Sequence, residues 1–323
     1  MKSFWFKFAV LIFYMRIVFF GTPEFAVISL KSLIEKGWDI AAVVTTPDKQ
    51  AGRGLKLVKP EVARYAESLS LPVLQPENLR DPGFIEQLKK INAGLFLVVA
   101  FRKLPPEVWQ LPPAGTVNLH ASLLPAYRGA APINHVIING EKKTGVTTFF
   151  INDQIDTGEI IFQETVDISA RETAGSLHDK LAHTGASLLC KTVDYIDKQK
   201  VITIHQDMTG NYPKAPKITK EFCRINWEQP ASKIDCLIRG LSPYPAAWTT
   251  LENKIIKIYT ADFETKKHEH APGTILTDNK NYLRVAAAEG FIHLLSLQAE
   301  GRKMLEVKEF LRGFVFKGNE KFK

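Results

Sequence analysis

The chain has 323 residues, 45% of them hydrophobic and 24% charged, which allows a sizeable core and favours two domains. Its formal charge of +8, from 42 Lys and Arg against 34 Asp and Glu, suggests a polyanionic partner. The three cysteines include no C-x-x-C pair, which argues against a disulfide framework and a structural zinc site and favours a reducing cytoplasm.

Residues 1–14 are predicted to be an N-terminal extension. Their apolar run, from Phe8 to Tyr14, is too short to span a bilayer, which takes about 20 apolar residues, and no small-residue cleavage site follows it. The first buried strand is predicted almost directly afterwards, over residues 16–20. We therefore interpret the extension as an upstream start codon or a dispensable segment, and expect neither a signal peptide nor a membrane anchor.

Beyond the extension, short apolar runs alternate with amphipathic stretches, a pattern typical of a parallel sheet covered by helices. The first helix is predicted to have Thr22 as its N-cap, Pro23 as its first residue and Gly37 at its end. Further strands are predicted over residues 40–45, 95–100, 116–119 and 146–151, and a long helix over residues 173–198. Residues 15–207 are thus predicted to form a Rossmann-like, open and mostly parallel α/β sheet.

A change in residue composition separates a second domain from the first. Residues 208–219 are predicted to be a linker, since residues 211–217 contain two prolines and two lysines without an apolar period. Residues 220–323 are predicted to form a small β-barrel, because one helix is followed by short alternating runs that glycines separate. The helix is expected at 231–241 and the strands at 254–260, 282–286 and 291–297.

The second domain also carries most of the net positive charge. Residues 217–323 contain 18 Lys and Arg against 13 Asp and Glu. A phosphate backbone is therefore the expected partner of this domain.

An amide, an imidazole and a carboxylate lie in one region of the first domain. Asn118 and His120 come at the end of the strand predicted over 116–119, where open α/β sheets bind their ligands, and Asp156 follows in the turn Asp156-Thr157-Gly158. The amide and the imidazole can donate to a developing oxyanion, and a carboxylate can fix the tautomer and charge of the histidine. The three side chains predict acyl transfer to an amine, although each alone is also typical of a turn or a satisfied polar pair.

These motifs together resemble the folate-dependent formyltransferases. The likeness extends from Met15 almost to the C-terminus and includes segments of both domains: 20–26, 47–54, 118–132 and 156–158 in the first, and 225–227, 243–248, 271–275 and 297–304 in the second. It implies a formyltransferase fold followed by an OB-like barrel. It also implies formyl transfer from the co-substrate 10-formyltetrahydrofolate, without a metal.

The resemblance implies roles for the reacting groups. The acceptor would be the α-amino group of initiator methionyl-tRNA, formylated for translation initiation, and the barrel would bind the tRNA. Asn118 and His120 would donate to the oxyanion, and Asp156 would hold His120 in its cationic form and relay a proton to the leaving nitrogen.

Two further sites follow from the same resemblance. The folate would lie against the wall formed by Ser122, Leu123, Leu124 and Pro125. Arg53, flanked by glycines, would enter the acceptor end of the tRNA and sense its first base pair, since a planar guanidinium binds phosphate or base edges.

One segment departs from the family pattern. Arg102 and Lys103 stand where smaller or apolar residues are expected. The resemblance therefore does not specify the wall of the pocket for the pterin ring of the folate. The alternatives are an amino-sugar N-formyltransferase, a non-catalytic tRNA-binding protein and, more weakly, a formylfolate hydrolase. We expect a cytoplasmic monomer without a membrane partner.

Overall fold

The computed structural model describes residues 15–51, 56–318 and 320–323. The first domain contains sixteen helices and strands among these residues. In chain order they are β1 (Ile17–Gly21), α1 (Glu24–Glu35), β2 (Ile40–Val44), β3 (Lys49–Ala51), β4 (Lys56–Val58), α2 (Glu61–Ser68), β5 (Val73–Leu74), α3 (Pro82–Ile91), β6 (Leu95–Val99), α4 (Pro106–Trp109), β7 (Thr116–His120), β8 (Arg128–Gly129), α5 (Pro132–Ile138), β9 (Lys143–Phe150), β10 (Ile160–Asp167) and α6 (Ala174–Asp197).

Seven of these strands form the central sheet, in the order β10-β9-β7-β6-β1-β2-β5. The strands from β7 to β5 are parallel, whereas β9 and β10 are antiparallel to their neighbours. All five residues of β1 are buried, because helices cover both faces of a parallel sheet. The predicted mostly parallel α/β sheet is confirmed. Strand β10 was not predicted, since its outer half is exposed and carries no apolar run.

The start of helix α1 corrects one prediction. The N-cap is Pro23, not Thr22, and no side chain in the described part of the chain caps the helix. Since Pro23 has an extended ψ of 176°, helical geometry begins only at Glu24, which leaves Thr22 one residue too early to cap it. The Thr22 hydroxyl is instead buried without a hydrogen-bond partner among the described residues. Gly37, with a φ of 82°, follows the helix as predicted.

The second domain is an antiparallel barrel. One helix precedes its strands in the chain, and another follows them. Its helices and strands are α7 (Ala231–Leu241), β12 (Ala247–Leu251), β13 (Lys254–Glu264), β14 (Ile275–Thr277), β15 (Leu283–Ala286), β16 (Phe291–Ala299), β17 (Leu305–Glu306) and α8 (Val307–Gly313), preceded in the connector by β11 (Lys214–Ala215). Strand β17 pairs with β16, and the rest follow the order β12-β13-β16-β15-β14. The sequence predicted α7, β13, β15 and β16, but missed the short strands β12, β14 and β17 and the second helix, α8.

The last residues of the chain join the two edges of this sheet. Lys323 exchanges main-chain hydrogen bonds with Thr250 of β12, and Phe322 donates to Gly273, which precedes β14. Trp227 lies beneath them, buried and stacked on the Phe322 ring. The six-stranded sheet is thereby closed into the predicted barrel.

The two domains contact each other through helices α5 and α7. The Asn134 amide donates to the Gly240 carbonyl oxygen at 2.7 Å. Close by, the buried carboxylate of Asp235 accepts hydrogen bonds from Arg171 and Arg239, at 3.0 and 2.7 Å. A buried carboxylate needs such partners, so this contact holds the second domain against the first.

The connector between the domains pairs with the first domain. Strand β11 runs parallel to β8, and the main-chain N–H of Tyr127 donates to the Pro213 carbonyl oxygen at 2.6 Å. A Cβ atom on Gly129 would lie 2.4 Å from the Ala215 carbonyl oxygen, and the φ of Gly129 is 125°, so this pairing requires glycine. The linker limits 208–219 stay a prediction, but part of this segment is an ordered strand.

No helix in the described part of the chain is long and apolar enough to cross a bilayer.

Candidate active site

Asn118 and His120 lie on one face of strand β7, at its carboxyl end. Residues two positions apart in a strand point the same way, which places both side chains on the side opposite Val117 and Leu119. The Asn118 carboxamide has no hydrogen-bond partner among the described residues and lines a cavity. The His120 ring is buried beside it, with a side-chain exposure of 8%. The period of two in a strand predicted that the two side chains share a face, and their catalytic role stays a prediction.

The neighbours of the His120 ring fix its tautomer. Its Nε2 atom lies 2.9 Å from the Tyr127 carbonyl oxygen. Because a carbonyl oxygen only accepts, Nε2 carries the proton of this hydrogen bond. The other ring nitrogen, Nδ1, lies 3.9 Å from Asp156 Oδ2, which is too long for a hydrogen bond. Only Nδ1 is therefore available for chemistry.

Tyr127 is itself firmly held. Its hydroxyl donates to a Glu141 carboxylate oxygen at 2.5 Å and accepts from the Asn139 amide at 3.1 Å. Burial and the hydrogen bond to Glu141 raise the pKa of Tyr127 to about 12. The phenol stays neutral at physiological pH, and the carbonyl group that orients His120 is anchored by its own side chain.

Asp156 is placed by a turn between β9 and β10. Its φ is 55°, a left-handed conformation that aspartate tolerates better than most residues, and its Oδ2 accepts the Gly129 N–H at 2.9 Å. Two residues later, a Cβ on Gly158 would lie 1.6 Å from the Phe150 carbonyl oxygen, so the turn cannot form with another residue there. Although Asp156 was predicted to lie with His120, its hydrogen bond to Gly129 was not.

One cavity of about 690 Å³ brings the three predicted catalytic side chains together. Its walls are mostly apolar and come from the carboxyl ends of β6, β7 and β9, from the loops after β6 and β9, and from α1, α5 and α6. The apolar wall includes Phe25, Val98, Phe101, Leu104, Phe149, Ile151 and Ile155, and the polar lining includes Asn118, His120, Asn134, Asn152, Gln154, Asp156 and His178.

Most of this lining was missed by sequence reasoning. Phe101 had a usable signal, since it comes two residues after the end of the buried strand β6, at the edge where ligands bind. Gln154 and Ile155 precede Asp156 in the same loop. His178 comes from α6, which reaches the cavity only through helix packing, so no local pattern indicates it.

Arg102 and Lys103, which depart from the family pattern, line the cavity and fasten the loops around it. The Arg102 guanidinium donates to the carbonyl oxygens of Pro76 and Glu77, and Lys103 Nζ donates to the Asp153 carbonyl oxygen at 2.9 Å. Burial lowers the pKa of the Arg102 guanidinium. Both cations are used to hold backbone, and Arg102 also lies over the Phe101 ring.

The loop 122–125, predicted to bind folate, lies behind the cavity and contributes none of its lining. Ser122 is fully buried, and its carbonyl oxygen accepts from the Thr147 hydroxyl at 2.6 Å. The Leu124 carbonyl oxygen accepts from Gln163 at 2.8 Å. Ser122 and Leu124 thus fasten the loop to β9 and β10, and the contact of the four residues with folate stays a prediction.

Arg53 lies outside the described residues. The strands on either side of it, β3 and β4, pair as an antiparallel hairpin. Among the described residues, no group of three His, Cys, Asp or Glu side chains is placed to hold a metal ion.

Comparisons with known proteins cover both domains. Residues 15–193 match a family model described as Formyl transferase, and residues 217–315 match Formyl transferase, C-terminal domain. A methionyl-tRNA formyltransferase from Bacteroides fragilis is 50% identical over 308 residues, which are 93% of this chain and 95% of the relative.

Solved structures share the fold at lower identity. HypX from Aquifex aeolicus in complex with tetrahydrofolic acid matches with a TM-score of 0.64 and 17% identity, over 92% of this chain and 47% of that chain. An N-formyltransferase from Helicobacter canadensis in complex with folinic acid and dTDP-3-aminofucose matches with a TM-score of 0.62 and 20% identity, over 88% of this chain and 99% of that chain.

Proposed function

The chain belongs to the formyl transferase family, and from this we propose that it transfers a formyl group to the α-amino group of methionyl-tRNA. Its relative of that name is 50% identical over almost the whole of both chains. The most direct support from the site is the grouping of Asn118, His120 and Asp156 around one cavity. A protein that had lost this activity would not be expected to retain all three side chains around one cavity.

We infer that the formyl donor is 10-formyltetrahydrofolate, a co-substrate. The cavity volume of about 690 Å³ suits a small organic molecule, since such sites span about 300–1,000 Å³. Aromatic and aliphatic side chains such as Phe101 and Leu104 offer apolar contact to a flat ring system. Asn118, His120 and Asp156 supply the polar groups that a formyl group and an incoming amine need.

The reaction begins with the amine of the methionyl ester. With a pKa near 8, an α-amino group is partly neutral at pH 7, so it needs little activation. Its addition to the formyl carbon puts negative charge on the formyl oxygen. The Asn118 amide, which has no partner within the described ranges, donates to this oxygen, and so does Nδ1 of a protonated His120, because Nε2 is held by the Tyr127 carbonyl oxygen.

Breakdown to products requires one proton transfer. The amine loses a proton as its bond to the formyl carbon forms, and the leaving N10 nitrogen gains one as its bond to that carbon breaks. We assign this relay to Asp156, whose Oδ2 is held by Gly129 and whose Oδ1 has no hydrogen-bond partner among the described residues. The products are N-formylmethionyl-tRNA and tetrahydrofolate.

The function is tested with purified protein, methionyl-tRNA and 10-formyltetrahydrofolate, with formylmethionine as the readout. Parallel reactions receive an amino-sugar nucleotide as acceptor, because the fold is shared with an N-formyltransferase crystallised with dTDP-3-aminofucose. Formylmethionine supports the proposal, and formylation of the sugar alone replaces it. Release of formate without an acceptor product indicates a hydrolase. The absence of turnover with any acceptor indicates a non-catalytic tRNA-binding protein.

We propose that Arg53 selects initiator tRNA, because it stands in a glycine-flanked basic loop apart from the basic second domain. Arg53→Ala should lower formylation of initiator methionyl-tRNA strongly, by at least about tenfold, and leave a small amine acceptor nearly unaffected. Arg53→Lys should recover only part of the loss, since an ammonium lacks the planar fork.

Lys49→Ala is the matched control, because Lys49 is an exposed cation at the start of the same hairpin. It should change formylation little. Equal losses on initiator and elongator methionyl-tRNA for Arg53→Ala would show that Arg53 supplies affinity and not selection.

A further inference from the structure

Gln206, in the segment between α6 and β11, connects two loops of the active site. Its Oε1 atom accepts from Arg128 Nη2 at 2.7 Å and from Arg128 Nε at 3.2 Å. Its Nε2 atom donates to the carbonyl oxygens of Asp156 and Gly158, at 3.0 and 2.8 Å. One carboxamide thus makes four hydrogen bonds, two to the loop that follows β7 and two to the turn that follows β9.

These contacts require a carboxamide. Rotating it by 180° would place its oxygen against two carbonyl oxygens and its NH₂ group against a guanidinium, so only one orientation satisfies all partners. Glutamate would keep an acceptor for Arg128 but would lose both donors to the Asp156 turn.

The hydrogen bonds form a closed circuit around Asp156. Gln206 holds the Asp156 carbonyl group, while the Gly129 N–H holds its carboxylate at 2.9 Å. Gln206 also binds Arg128, which precedes Gly129 in the chain. Without Gln206, the Gly129 N–H would be the remaining direct hydrogen bond between these two loops within the described residues. Because Asp156 has a φ of 55°, its conformation depends on such outside support.

The segment that carries Gln206 is anchored on both sides. Before it, Ile204 exchanges two main-chain hydrogen bonds of 2.9 Å with Ile160, at the start of β10. After it, β11 pairs with β8. Gln206 therefore reaches the catalytic turn from a fixed backbone and is only partly exposed.

We propose that Gln206 is a positioning residue for formyl transfer: it fixes Asp156 at its distance from His120 and so makes the segment between α6 and β11 part of the active site. This rests on the proposed function, in which Asp156 relays the proton. The 3.9 Å separation of the two side chains leaves room for a small shift to matter. A misplacement of about 1 Å in a reacting group can cost about 100-fold in rate.

The first test is steady-state kinetics of Gln206→Ala and Gln206→Glu with both substrates varied. We expect kcat to fall about 10- to 100-fold in each variant and both KM values to change less than about threefold. The control is Thr209→Val in the same segment, which removes the hydrogen bond from the Thr209 hydroxyl to the Asp207 carboxylate but touches neither catalytic loop. Its kcat should stay within about twofold of the wild type.

The second test asks whether Gln206 acts through Asp156. We compare Gln206→Ala, Asp156→Asn and the double variant under single-turnover conditions, and check each for an unchanged Tm. If Gln206 acts by placing Asp156, the double variant should be about as slow as Asp156→Asn alone. A purely structural role predicts that the two losses multiply.

Each outcome decides the matter. Wild-type kcat in both Gln206 variants, or losses that multiply in the double variant, overturn the inference. If Gln206→Ala does not fold, Gln206→Glu carries the same comparison because it keeps the side-chain length and the acceptor for Arg128. Failure of the wild-type protein to formylate methionyl-tRNA would instead overturn the proposed function.

Discussion

Replacing His120 with alanine should lower the rate of formyl transfer by about two or more powers of ten and leave the affinity for 10-formyltetrahydrofolate nearly unchanged. The Nε2 atom of His120 is occupied by the Tyr127 carbonyl oxygen, so Nδ1 is the one ring nitrogen that can stabilise the developing oxyanion. Single-turnover formylation measures the rate, and equilibrium binding of the folate measures the affinity.

Two further variants separate chemistry from structure. His120→Gln places an amide near the former Nε2 position, where it can still donate to Tyr127, but leaves nothing at Nδ1; it should be about as slow as the alanine variant. His183→Ala removes an exposed histidine of α6 that does not line the cavity, and should be near wild type. Near-wild-type turnover of His120→Ala would remove His120 from the mechanism.

Asp156→Asn should lower kcat by about 10- to 1,000-fold, because a neutral amide can neither relay a proton nor stabilise an imidazolium ion. The substitution isolates the charge: asparagine tolerates the left-handed φ of 55°, and its side-chain oxygen can still accept from Gly129. Measured kcat and Tm together separate this effect from unfolding.

Asp153→Asn is the matched control, since Asp153 is an exposed carboxylate of the same loop whose side chain has no hydrogen-bond partner among the described residues. Its kcat should match the wild type. An Asp156→Asn protein with full activity would leave Asp156 a structural residue of its turn.

Local patterns in the sequence were sufficient for the main elements of the fold. Strand β1 was predicted over residues 16–20 and lies at Ile17–Gly21, and the helix predicted over 173–198 lies at Ala174–Asp197. Runs of apolar residues and a helical period are properties of consecutive residues, so they can be read without knowing the neighbours in space. The shared face of Asn118 and His120 follows for the same reason, from the period of two in a strand.

Predictions from local residue preferences were wrong where contacts elsewhere in the fold determine the backbone conformation. Thr22 has the residue type of an N-cap, but the extended Pro23 starts the helix one residue later. The proline-rich connector has the composition of a free linker, but its Lys214 and Ala215 pair with strand β8. In both cases the preference of a few residues is worth about 1 kcal/mol, which contacts with the rest of the domain readily exceed.

The sequence by itself thus determined five of the seven strands of the central sheet, the helices α1, α6 and α7, the charge of the second domain and the types of side chain available for acyl transfer. Only the tertiary structure decided which nitrogen of His120 is free, what holds Asp156, and that Gln206 belongs to the site. Arg128 and Gln206 are 78 positions apart, and Gln206 and Asp156 are 50. Such contacts depend on the order of strands in the sheet and on the path of the connector, and no periodicity within a segment encodes either of them.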